Sequence, residues 1–182
     1  MVSSAATLER RPDPRVARTQ KLIRDAFTSL LGEKTFEAVS VQDIAERATV
    51  NRATFYAHYP DKFALAESMI REDAATRLLE GDPLKEADTR KLLLAVAKNV
   101  FAYVASHREC RIDRDFEIQL AKAMEIELGA FLQPTFEHCT ALLVASALVG
   151  SAMNWRRDAP KMDPTPMMGY IVDVLIDGVK RA

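Results

Sequence analysis

Apolar positions along this chain recur at helical spacing, and no stretch alternates with the two-residue period of a half-buried strand. The first stripe, Val16, Ile23, Phe27, Leu30 and Leu31, predicts a helix over residues 15–31 that Gly32 can end. Two short helices follow. Val41, Ile44, Ala45 and Ala48 fall at i, i+3, i+4 and i+7 behind Ser40 and Asp43, a capping-box-like pair. Asn51 is a good N-cap for the next segment, and Pro60 stops it. In that second helix Val50, Phe55 and Tyr59 turn inward, leaving Arg52, Ala53, Thr54, Tyr56 and His58 outside. Helix, tight turn, helix is the plan of a helix-turn-helix, whose second helix fits a DNA major groove.

The remaining pattern is also helical. Phe63, Leu65, Ala66, Met69 and Ile70 mark a helix over residues 61–80, broken by Gly81-Asp82-Pro83. Asp88 or Thr89 can cap a helix over 89–106, whose wide stripe (Leu92, Leu93, Val96, Val100, Phe101, Val104) predicts burial on much of its circumference. Residues 107–115 read as a charged connection, and 116–131 as a helix with Ile118, Leu120, Ala121, Met124 and Leu128 inward. Residues 135–157 carry many small side chains, Gly150 and Ser151 among them, which let two helices approach closely. Met168, Ile171, Val174, Leu175 and Gly178 make the stripe of a last helix over 165–180. Tyr103, His107, Phe116 and Asn154 lie near these stripes and read as core or surface; Trp155 reads equally as core or as an interface anchor. Residues 1–14 show no periodic face and read as a mobile arm carrying Arg10 and Arg11.

Composition narrows the chemistry. With 182 residues, 48% hydrophobic and 28% charged, the chain can bury a substantial core. Its net charge of −1 argues against indiscriminate nucleic-acid binding, so any DNA footprint rests on local placement of Arg15, Arg18, Lys21, Arg52 and Lys62. Cys110 and Cys139 lie far apart without metal-ligand spacing and read as two reduced thiols rather than a redox switch. No apolar run or leader core suggests a membrane segment, so a soluble cytoplasmic protein is expected. No phosphate-cradling glycine loop, HExxH pattern or nucleophile elbow is present; catalysis, a metal and a cofactor are not expected.

The segment TVNRATFYAHYPDK, residues 49–62, resembles the recognition-helix signature of the TetR (tetracycline-repressor-like) family of transcriptional regulators. The similarity runs over residues 15–65, with the threonine, tyrosine, histidine and following lysine in register; Thr49 stands where the family's turn usually carries glycine. The resemblance implies an all-α protein: an N-terminal arm (1–14), a three-helix DNA-binding domain with the helix-turn-helix (15–62), and a helical effector-binding and dimerisation domain (63–182). By the same resemblance Gln42, Arg52, Ala53, Thr54 and His58 match positions that face the major groove, and Ser40, Tyr56 and Lys62 match phosphate-contacting positions. Arg52 suits guanine and Gln42 adenine as base readers. The alternatives are core packing for Tyr56 and a helix-end hydrogen bond for His58. Implied partners are double-stranded operator DNA, a second copy joined through the last two helices, and a small-molecule effector that releases a repressor. A helical protein-interaction module with an architectural helix-turn-helix is the competing expectation.

Overall fold

The computed structural model describes residues 14–78, 80–107, 113–158 and 161–178. The arm with Arg10 and Arg11, and Cys110, lie outside the described residues. Eight α-helices are described: α1 Pro14–Glu33, α2 Val41–Arg47, α3 Arg52–His58, α4 Lys62–Leu78, α5 Thr89–Ser106, α6 Arg114–Leu132, α7 His138–Asp158 and α8 Thr165–Asp177, with one 3-10 turn at Pro83–Lys85. Among the described residues there is no strand, so the all-α expectation holds.

Local chemistry explains most of the boundaries. The Asp61 carboxylate accepts the Ala64 amide at 2.7 Å and opens α4. Asp88 does the same for Lys91 at 2.9 Å at the start of α5, and Asp113 for Phe116 at 2.9 Å at the start of α6. Asp113, read from sequence as part of a charged connection, is therefore an N-cap.

Packing organises these helices around one apolar interior. Phe27 of α1, Phe36, Ile44 of α2 and Phe55 of α3 are all buried at the N-terminal end. Leu65, Ala66, Ile70, Ala74 and Leu78 of α4 continue that interior into a layer formed by α5, α6 and α7, where Val96, Val100, Leu120, Met124, Leu128, Val144 and Leu148 are sealed from water. Each Leu, Ile, Val, Met or Phe side chain among these contributes about 1.5–3 kcal/mol on burial. A Cβ on Gly129 of α6 would sit 3.3 Å from Leu142 Cδ2 of α7, so the two helices meet closely there, whereas Gly150 of α7, expected to admit a close neighbour, faces open space.

Two stripes differ from expectation. Val16 is 41% exposed, because it lies in the first turn of α1 and is not covered there. In α8 the fully buried residue is Val172, with Met168, Ile171 and Leu175 packed beside it. Val174 lines an open groove with Tyr170, Ile171, Gly178 and, from α7, Ala147 and Ser151. The helix is apolar on two sides, so its spacing does not say which side is covered.

Candidate nucleic-acid interface

Short helices need their ends fixed, and α2 and α3 have them fixed by side chains. Ser40 Oγ accepts the Asp43 amide at 3.1 Å, while the Asp43 carboxylate accepts the Ser40 amide at 2.8 Å. The two bonds complete a capping box. The Ser40 hydroxyl, and then Lys34 at 2.9 Å, hold the Asp43 carboxyl well below the usual carboxylate range. At the other end of α2, Arg47 grips Glu33 of α1 with two bonds of 2.7 and 2.8 Å and Ser29 with a third of 2.6 Å. Asn51 Oδ1 then caps α3 by accepting the Ala53 amide at 2.9 Å.

The turn between them is a Schellman closure. The Val50 amide donates to the Ala45 carbonyl at 2.9 Å and the Thr49 amide to the Glu46 carbonyl at 3.1 Å. This geometry puts Thr49 at φ 56°. A β-branched side chain at left-handed φ is strained by about 1–2 kcal/mol. The turn thus keeps the geometry that glycine ordinarily serves and bears the strain of a threonine.

Behind α3, Phe55 and Tyr59 are buried, as the spacing predicts. In front, Arg52, Ala53 and Tyr56 are exposed, and Thr54 and His58 are half-buried at the edge. Tyr56 is 47% exposed and so does not pack in the core. Its hydroxyl accepts a long bond of 3.4 Å from Arg52, whose guanidinium stands 5.9 Å from the Tyr56 ring centre. Ser40 and Gln42 are exposed at the start of α2, and Gln42 donates to Glu46 one turn on. The structure therefore brings Ser40, Gln42, Arg52, Ala53, Thr54, Tyr56 and His58 onto or beside α2 and α3.

Lys62 is differently disposed. Its ammonium donates to the carbonyls of Phe36 at 2.8 Å, Glu37 at 3.0 Å and Val39 at 2.9 Å. It also stands 4.7 Å from the Phe36 ring centre. Three donors meet three acceptors, so the charge is spent on the loop leading into α2. Arg24 of α1 makes a comparable tie, reaching Tyr59 at 3.3 Å, Ser68 at 3.2 Å and Glu72. These anchors escaped sequence reasoning, since nothing local distinguishes Arg24 from its surface neighbours.

The comparisons with known proteins concern mainly this segment. Residues 23–69 match the family model described as bacterial regulatory proteins, tetR family. Over 68 residues, 37% of this chain and 18% of the relative, the sequence is 37% identical to the uncharacterized HTH-type transcriptional regulator YxbF of Bacillus subtilis. Over 69 residues, 38% of this chain and 35% of the relative, it is 42% identical to YdeS of the same organism, which bears the same description. The matched stretch thus spans well under half of either relative. Similarity of fold extends further. A TetR-family regulator from Streptomyces coelicolor aligns over 92% of this chain and 99% of its own, with a TM-score of 0.67 and 18% identity. Thermus thermophilus FadR, a TetR-family repressor solved with lauroyl-CoA, aligns over 90% and 97%, with a TM-score of 0.58 and 19% identity.

Proposed function

From a chain whose residues 23–69 match the family model of the tetR bacterial regulatory proteins, we propose a cytoplasmic, dimeric repressor that reads a palindromic operator through α3 and leaves it when a small effector binds. The observation that carries this is the outer face of α3: Arg52, Ala53 and Tyr56 stand in solvent on a helix capped by Asn51 and backed by Phe55 and Tyr59. Such a face offers a cation, a hydroxyl and a small residue where base edges and phosphates would lie. Arg52 and Gln42 read bases, Thr54 and His58 flank them, and Ser40 and Tyr56 meet phosphates. Lys62 supports that surface from behind.

The open groove between α7 and α8 supports pairing of two copies there. Ala147, Ser151, Tyr170, Ile171 and Val174 line it, and Leu143 beside it is 64% exposed. An isologous contact on this face would set two recognition helices about 34 Å apart, one turn of DNA. The effector is expected among α5, α6 and α7, where the packed side chains are apolar and would part around an apolar body of the kind solved with FadR. To empty the operator it must favour the DNA-incompetent state about 10⁴-fold, and operator DNA must then weaken effector binding by the same factor.

The test is selection of duplexes from a random pool by the purified full-length protein, followed by anisotropy titration. A palindromic site bound by a dimer is expected. Failure to enrich any sequence would remove the DNA reading and favour a protein-interaction module. A thermal-shift screen with acyl-CoA and other apolar ligands checks the effector class.

A further inference from the structure

One peptide group is held from both ends by opposite charges. The carbonyl of Phe36 accepts Lys62 Nζ of α4 at 2.8 Å. On the same peptide plane, the Glu37 amide donates to the Asp113 carboxylate at 2.6 Å. Asp113 is also the N-cap of α6, its other oxygen accepting the Phe116 amide at 2.9 Å. The side chains repeat the junction. Phe36 is fully buried, with ring centres 5.2 Å from Phe63 of α4, 5.7 Å from Phe116 of α6 and 6.1 Å from Phe27 of α1. Three residues after Glu37, Ser40 begins the capping box of α2.

A peptide dipole with a cation at its oxygen and an anion at its N–H is stabilised at both ends, and each charged partner strengthens the bond the other makes. Moving the start of α6 therefore drags the loop that sets where α2, and behind it α3, must lie. We infer that Asp113 and Lys62 are positioning residues for DNA recognition, clamping the Phe36–Glu37 peptide so that the start of α6 sets the pose of the helix-turn-helix without either residue touching DNA. This rests on the DNA-binding reading above. It adds a second mechanical link, through α6, beside the covalent one through α4.

The test uses the full-length protein with the duplex enriched by the wild type and a scrambled duplex of equal length. Asp113→Ala is expected to weaken the enriched duplex about tenfold, the scale of one hydrogen bond to a charged group, and to leave the scrambled one unchanged. Asp113→Asn keeps a good N-cap while removing the charge, so it carries the test if the alanine variant does not fold; a loss of about threefold is expected, below the charged-bond value. Lys62→Met should lower the same affinity without changing its salt dependence, whereas a lost phosphate contact would make that slope shallower by about one. The double variant should lose less than the product of the single losses, because both act on one peptide. Amide exchange without DNA gives an independent arm: residues 44–48 should exchange faster in Asp113→Asn. Unchanged exchange, or equal losses on both duplexes, overturns the clamp. A wild type that enriches no duplex overturns the DNA reading alone, and the exchange result then decides the clamp.

Discussion

Two uncovered faces of this molecule are built from opposite materials. The face of α3 is polar: Arg52 and Tyr56 pair with each other, and Gln42 pairs with Glu46 on the neighbouring α2. The face shared by α7 and α8 is mainly apolar, with Asp173 and Asp177 along its groove: Leu143 is 64% exposed and Tyr170 72%, and a side chain added at Gly150 would meet only open space. The polar face is satisfied in water and can exchange its internal partners for an equally wet polyanion. The apolar face is satisfied only when covered. One therefore suits a partner met and released in solution, and the other a partner kept.

Breaking the apolar face should have the largest effect. Val174→Asp puts a carboxylate into the seam and is expected to cost about 3–5 kcal/mol of association, the scale of an unpaired buried charge. Light scattering should show monomers, and operator affinity should fall with dimerisation. A stable Val174→Asp dimer would move the interface off α7 and α8. Breaking the polar face is smaller and more selective. Arg52→Ala should cost about 1–3 kcal/mol and relax preference at one base pair per half-site; equal losses on enriched and scrambled DNA would exclude base reading.

The third prediction sharpens the contrast in how the two regions are made. Thr49→Gly removes a left-handed threonine and should raise unfolding stability by about 0.5–1 kcal/mol, the strain relieved less the added unfolded-chain entropy. Urea denaturation measures it, and a destabilised variant would contradict the strain.

The smallest effect concerns acid. Burial pushes the His107 imidazole below its ordinary value, with Arg77 and Arg156 adding to that, against the Tyr103 carbonyl and Asp73, which favour the charged form. Its ring lies 4.8 Å from Tyr103 and 6.5 Å from Phe116, centre to centre. A lowered folded value means the unfolded chain binds the proton first, so stability is full above about pH 6.5 and is lost as the pH falls below it. Unfolding curves at pH 7 and pH 5 should show a pH dependence that shrinks in His107→Phe.

The polar half of this comparison was the more legible in sequence. Ser40 with Asp43, and Asn51, announce their caps by residue type and spacing, and Thr49 declares its conformation by standing in a glycine's place. Lys62 was legible only in part, for a physical reason. A lysine at a helix start near a proposed DNA face looks like a phosphate donor, and its three carbonyl acceptors come from a loop more than twenty residues earlier. Asp113 was hidden because a run of charges does not disclose which carboxylate folds back to cap. In the apolar half, helices were readable but their covered sides were not. α8 is hydrophobic on two faces, and only the presence of α5 decides that Val172 goes in.

No polar or charged residue among those described is fully buried, and that sets how this interior can drift. Where shape alone fixes helix register, Leu, Ile and Met can replace one another at modest cost if volume is conserved. Exchanges among these aliphatic positions strand no hydrogen bond, and a buried exception is Tyr103, whose hydroxyl donates to the Ile70 carbonyl at 3.4 Å. The α2–α3 unit has no such freedom, since each cap requires a particular oxygen at a particular place. Mutation should accordingly wander through α5–α7 while sparing Ser40, Asp43 and Asn51. A library randomised over apolar core positions would keep its fold far more often than one randomised over those three.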